Sequence, residues 1–139
     1  VETTETIRAF FPPGTLSPMH ASGIGKALLS QRDADSLGRF LRTYPLNRFT
    51  DKTIGTAPAL QAELTAIRQQ GYAFDDEERT AGMRCVAAPI LNLYGEAIAG
   101  ISVSGPTHRM PADRIREIGR LVQQAANTVS RGLGAPEDT

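Results

Sequence analysis

Hydrophobic and polar positions follow two periods along this chain, and the points where one gives way to the other divide it into elements. Near the C-terminus, Ile115, Ile118, Leu121, Val122, Ala125, Val129 and Leu133 keep helical spacing from Pro111 to Gly132 and Gly134. That predicts a long terminal helix with these residues as its apolar face. Leu60, Leu64 and Ile67 stand at i, i+4 and i+7 behind Thr56-Ala57-Pro58, and Gly71 follows where a C-terminal helix glycine belongs. Pro58 is harmless there, because first-turn amides have no acceptor within a helix. Two shorter helices are predicted ahead of this one. The first starts at a Ser22 N-cap with Ile24, Ala27 and Leu28 inward; the second covers roughly residues 33–42, buries Leu37, Phe40 and Leu41, and stops before Pro45.

The remaining segments are β-prone. Residues 6–11 form a short run stopped by Pro12-Pro13-Gly14, and Tyr72-Ala73-Phe74 is extended. Residues 84–91 and 96–104 read as strands joined by Asn92-Leu93-Tyr94-Gly95, a hairpin by its turn chemistry, and residues 79–82 read as a loop. The order is strand, three helices, three strands, helix. Hairpin-linked strands with helices set apart predict an α+β fold on an antiparallel sheet, not a doubly wound nucleotide fold.

Composition narrows the function. A chain of 139 residues is about one domain. Fifteen Lys and Arg cancel fifteen Asp and Glu, so no global positive field draws in a phosphate backbone. Arg114, Arg116 and Arg120 share the last helix with Asp113 and Glu117, which is the pattern of a solvated face. One cysteine cannot make an internal disulfide, and no stretch approaches the ~20 consecutive apolar residues of a membrane span. The opening residues have neither the basic nor the apolar region of a signal peptide. The expectation is a cytoplasmic domain without membrane contact, and the first residue, Val1, suggests a piece of a longer protein.

Most candidate chemistry fails on spacing. Gly23-Ile24-Gly25-Lys26 resembles a phosphate loop, but His20 stands where its first glycine belongs and Ala27 where its magnesium-binding hydroxyl belongs. Residues 22–25 therefore read either as a plain helix cap or as a general anion site at a helix start. Asp75-Asp76-Glu77-Glu78 reads as a solvated acidic turn, with Asp75 placed by alternation on the side of Ala73. Cys85 is a small buried thiol or a nucleophile, and no motif ties His20 or His108 to it. In the strand 100–106, Ile101 and Val103 face one side while Gly100, Ser102 and Ser104 face the other. That second face either meets solvent or borders a gap lined by two hydroxyls, with Gly100 marking the close approach of a ligand or another backbone.

Four stretches in order, Met19-His20-Ala21-Ser22-Gly23-Ile24-Gly25-Lys26-Ala27-Leu28-Leu29, Gly71-Tyr72-Ala73-Phe74-Asp75-Asp76-Glu77-Glu78, Gly82-Met83-Arg84-Cys85-Val86-Ala87-Ala88-Pro89 and Ile101-Ser102-Val103-Ser104-Gly105-Pro106, resemble the effector-binding domain of bacterial IclR-type (isocitrate-lyase-regulator-like) transcription factors. The resemblance spans residues 19–106 and is followed by a terminal helix. It implies a GAF-like effector-binding and oligomerisation domain over residues 1–134, with 135–139 a disordered tail. An N-terminal winged helix-turn-helix would be absent from this chain, and operator DNA would be bound only through it. Assembly into dimers or tetramers is implied, with no cofactor and no metal.

The same resemblance implies that a small organic acid lies between the helix start and the sheet. Its carboxylate would meet the backbone amides of Gly23 and Ile24 and the hydroxyls of Ser102 and Ser104, with Asp75 and Cys85 flanking the other end. Ile24 is bulkier than the Ala or Gly expected there, which implies a narrower pocket or a side chain turned into the core. The implied function is ligand sensing without catalysis, with binding passed to the DNA-binding domain as a population shift. Two other readings compete. A small thiol-dependent hydrolase would use Cys85 with Asp75, although a carboxylate beside a thiol weakens the nucleophile. A metal-binding sensor would use Asp75, Cys85 and a histidine, although no zinc-like spacing is present.

Overall fold

A computed structural model describes the backbone of residues 6–10 and the whole of residues 18–135. Strands β1 (Thr6–Phe10), β2 (Ala73–Asp76), β3 (Met83–Leu91) and β4 (Ala97–Pro106) form one antiparallel sheet in the order β1-β4-β3-β2. Helices α1 (Gly23–Leu29), α2 (Ala34–Thr43) and α3 (Ala57–Gln70) lie between β1 and β2 in sequence, and α4 (Ile115–Gly132) follows β4. This is the α+β order read from the sequence. Phe11 and the predicted turn at Pro12-Pro13-Gly14 lie outside the described residues, as do residues 136–139 of the predicted tail.

Local chemistry sets the element ends. Ser22 Oγ accepts the Gly25 N–H at 2.9 Å, and Asp33 Oδ1 accepts that of Ser36 at 2.7 Å, so each caps its helix. Thr56 opens α3, which ends on Gly71 at φ 90° with the Gly71 N–H on the Ile67 carbonyl. The β3–β4 hairpin turns through Gly95 at φ 75°, while Asn92 Oδ1 takes the N–H groups of Tyr94 and Glu96. The Ala135 N–H bonds the Ser130 carbonyl past Gly134 at φ 88°, just beyond the end of α4.

The pleat divides the sheet into two faces. One carries Ala73, Ala87 and, farther along, Asp75, Cys85, Ser102 and Ser104; its core adds Ala27, Leu29, Phe40, Leu60, Leu64 and Ile67 from α1, α2 and α3. Full burial of Leu29, Leu60 and Ile67 contributes about 2 kcal/mol each by area. The opposite face carries Val86, Ala88, Ile90 and Ala99, which pack on Met110, Ile115, Val122 and Ala126, with Ile101 and Val103 partly buried beside them.

The apolar stripe read along α4 needs correction. Ile115 and Val122 are buried and Ile118 packs partly buried beside them, as expected, but the rest of the inward face is Gly119, Ala126 and Ser130, while Leu121, Val129 and Leu133 are exposed. Close approach selects this face. A Cβ on Gly119 would come within 2.6 Å of the Tyr72 ring, so the absent side chain lets the helix settle on that ring. Ser130 Oγ accepts the Leu91 N–H at 2.8 Å and donates to the Ala126 carbonyl, tying the helix to the end of β3.

Candidate functional site

The strand register brings the predicted residues together. Asp75 pairs with Cys85 and Cys85 with Ser104, forming one row across β2, β3 and β4; Ala87 pairs with Ser102 in the next row on the same face. The start of α1 lies over these rows. A Cβ on Gly23 would come 2.9 Å from Cys85 Sγ and 3.4 Å from the Ala87 Cβ, and one on Gly25 would meet the backbone of Met19. Both glycines are thus required by contact. Between helix and sheet lies a cavity of about 400 Å³, lined by all six candidates: Gly23, Ile24, Asp75, Cys85, Ser102 and Ser104.

Ile24 turns partly toward the core, and its Cγ2 lies 3.2 Å from where a Gly100 Cβ would stand. The strand glycine therefore marks the approach of the Ile24 side chain, with the Ala88 carbonyl oxygen also 3.4 Å from that point. Ser102 is buried and Ser104 half-buried, and neither hydroxyl has a hydrogen-bond partner among the described residues. In α1, Ser22 takes the N–H of Gly25 with its side chain and that of Lys26 with its carbonyl. The amides of Gly23 and Ile24 are left unused by the helix and its cap. In the register Ser104 is the direct neighbour of Cys85.

The acidic turn is only partly solvated. Asp75 is 8% and Glu78 7% exposed, whereas Asp76 and Glu77 bind Lys52 at the surface, at 3.3 and 3.2 Å. Burial raises the Asp75 carboxyl from its ordinary 3.8 to about 6, against the lowering effect of the Glu78 N–H that bonds its Oδ1 at 2.8 Å. Burial also raises Glu78, against the attraction of Lys26.

Lys26 was missed by sequence reasoning beyond its failed phosphate-loop role. It is wholly buried, with Nζ 2.7 Å from Glu63 Oε2, 2.7 Å from the Phe74 carbonyl oxygen and 2.8 Å from Glu78 Oε1. A signal for it existed: every other residue of Gly23–Leu29 is small or apolar, so the helix is buried all round and a lysine inside it must be paired. Arg79 and Thr80 also line the cavity, and the Arg79 guanidinium lies 4.4 Å over the Phe49 ring. The pairing of residue 79 with residue 49 left no sequence signal.

Neither histidine joins the site chemistry. A ring nitrogen of His20 bonds the Asn47 carbonyl at 2.8 Å, and His108 is exposed. Among the described residues no group of three His, Cys, Asp or Glu is placed to hold a metal ion. Among the same residues, no helix is long and apolar enough to cross a membrane.

Comparison with known proteins shows the family and the fold. Residues 1–131 match the family model described as bacterial transcriptional regulator IclR C-terminal. The chain is 56% identical over 137 residues to the HTH-type transcriptional regulator BhcR of Paracoccus denitrificans (strain Pd 1222), covering 99% of this chain and 49% of that protein. The crystal structure of the C-terminal domain of E. coli transcriptional regulator KdgR superposes with a TM-score of 0.85 at 34% identity, over 95% of this chain and 89% of that one. A complex of the Acinetobacter PobR inducer-binding domain, a double mutant, with 3-hydroxybenzoic acid gives 0.75 at 32% identity, over 82% of this chain and 66% of that one. The chain spans about half the length of the curated relatives it matches, and these carry the names of transcriptional regulators, not enzymes. The chain belongs to the IclR family of bacterial transcriptional regulators, as the C-terminal domain of that family.

Proposed function

We propose that this domain senses a small organic acid in the cavity beneath α1, self-associates as a dimer or tetramer, and passes occupancy to a DNA-binding domain outside this chain. One observation carries the reading: helix-start amides unused by the helix and its cap, two serine hydroxyls without a partner among the described residues and a protonatable buried carboxyl converge on one cavity of about 400 Å³. That volume falls in the range of small-molecule sites. The chemistry suits an anion. Helix-start amides and hydroxyls donate to a carboxylate, and Asp75 can accept a proton when a second negative charge enters. The acid named in the PobR complex supports the same class of ligand. Against the hydrolase reading, Cys85 sits directly beside Asp75, which disfavours its thiolate, and neither histidine stands by as a base.

A thermal-shift panel of small keto, hydroxy and aromatic acids, each paired with its uncharged amide, tests this. A ligand at 100 times its Kd stabilises by about 2.7 kcal/mol, enough to raise Tm by several degrees in a domain of this size. At least one acid should do so while its amide does not. A panel in which acids and amides are equally inert counts against the acid-sensing reading.

A further inference from the structure

Behind the cavity wall the turn at residues 75–78 is held in an unfavourable shape. Glu77 has φ 58°, a left-handed conformation that side chains other than glycine rarely adopt. Such a turn persists only if its surroundings impose it. The Thr50 hydroxyl donates to the Glu77 carbonyl at 2.6 Å and the Thr53 hydroxyl to the Glu78 carbonyl at 2.5 Å. Glu78 Oε2 accepts the Asp76 N–H at 3.3 Å, while Glu78 Oε1, fully buried, makes no hydrogen bond and has the Lys26 ammonium as its ionic contact. All three N–H donors of that ammonium have an oxygen within reach: Glu63 on α3, the Phe74 carbonyl on β2, and Glu78.

We propose that Lys26 is a positioning residue for the acid-binding wall: from inside α1 it clamps Glu78, which fixes the strained turn so that the Glu78 N–H holds the Asp75 carboxylate toward the cavity. One buried ammonium thereby sets the spacing between α1 and the strand end that carries Asp75. The inference rests on the reading of the cavity as an acid site, and goes beyond it by assigning a residue that does not touch the ligand.

The test uses Cys85 as a reporter, with iodoacetate as a small anionic probe and iodoacetamide as its neutral counterpart. Both react with the same thiolate, so the ratio of their rates, normalised to a simple thiol, cancels the cysteine's own titration and reads the charge around it. The charged groups nearby are Asp75, Glu78, Lys26 and Glu63, with Arg79 and Arg84 also lining the cavity. In the parent the ratio should fall as pH rises through about 6, where Asp75 ionises. Glu78→Ala and Lys26→Met, which release the clamp, should flatten this step and change the ratio at pH 5 by about tenfold, the equivalent of one pKa unit. Glu78→Gln keeps an oxygen for Lys26 and removes one negative charge, so it should retain the step and move it to lower pH. Mere loss of packing predicts no such rescue.

If Lys26→Met does not fold, the contrast between Glu78→Ala and Glu78→Gln decides alone. Glu78→Ala with the parent's step and ratio overturns the positioning role while leaving the acid site standing. A parent ratio that is flat with pH overturns the acid-site reading and this inference with it.

Discussion

Asp75 stands directly opposite Cys85 in the pairing of β2 with β3, and both line the cavity beneath α1. A thiol next to a buried carboxylate is poorly placed to ionise, so the proposed acid site uses Cys85 as a wall and not as a nucleophile. An acid identified by the thermal-shift panel should slow alkylation of Cys85 by a neutral reagent, and Cys85→Ser should bind that acid within about threefold of the parent, since a hydroxyl replaces a weakly polar thiol of similar size. Unchanged alkylation at saturating acid would place the ligand elsewhere.

The raised Asp75 carboxyl gives stability a definite pH dependence. Its folded pKa of about 6 lies above the ordinary 3.8, so between those values the folded state binds more protons than the unfolded one. This contribution is fully present below about pH 4 and is lost as pH rises through 6; Glu78, raised for the same reason, acts in the same direction. Asp75→Asn keeps an acceptor for the Glu78 N–H and removes the buried charge. Urea unfolding should find the variant more stable than the parent at pH 7.5, with the advantage shrinking toward pH 4.5. A constant difference across that range contradicts the assignment of the shift to Asp75.

Gly119→Ala tests the fold apart from the site. The added Cβ would meet the Tyr72 ring at 2.6 Å, and overpacking of this kind costs about 1–3 kcal/mol. Denaturant melts should show that loss, while acid affinity measured on the folded protein stays as in the parent, because Gly119 lies on the face of the sheet away from the cavity.

The domain by itself should not bind DNA specifically. Arg114, Arg116 and Arg120 are exposed on or beside α4, but Arg114 is paired with Glu117 at 3.1 Å and the chain has no net charge. A gel shift at physiological salt should show no sequence-specific retention, and specific retention would contradict the assignment of DNA binding to another part of the protein.

Much of this was legible in the sequence wherever one residue's chemistry decides a local outcome. The Ser22 cap, the Gly71 stop and the Asn92 to Gly95 turn depend on a few adjacent residues, and each stands where the pattern put it. Period-2 alternation likewise placed Ser102 and Ser104 on one face and Asp75 on the side of Ala73. Long-range partners were not legible. Lys26 reaches Glu63 and Glu78, 37 and 52 residues away, and no local pattern records those pairs. The face of α4 was misjudged for a related reason: hydrophobicity favoured Leu121 and Val129, whereas the fit of Gly119 on Tyr72 decided the rotation of the helix.

The central claim is that the cavity between α1 and the sheet binds the acid, and the two serines test it most directly. Ser102 and Ser104 lie i and i+2 on β4, roughly 6.5–7 Å apart along the strand, within span of one small carboxylate. Each hydroxyl lost to alanine removes a hydrogen bond to a charged group, about 1.5–3 kcal/mol, which corresponds to about tenfold to a hundredfold in affinity. Fold stability should barely change, because neither hydroxyl has a protein partner among the described residues. Val103→Ala, on the opposite and partly buried face, should instead lower stability by about 1 kcal/mol and leave affinity nearly intact. Calorimetric titration of the parent, Ser102→Ala, Ser104→Ala and Val103→Ala with the acid from the panel should show weakened binding in the serine variants alone; parent-like binding in both of them would contradict the site.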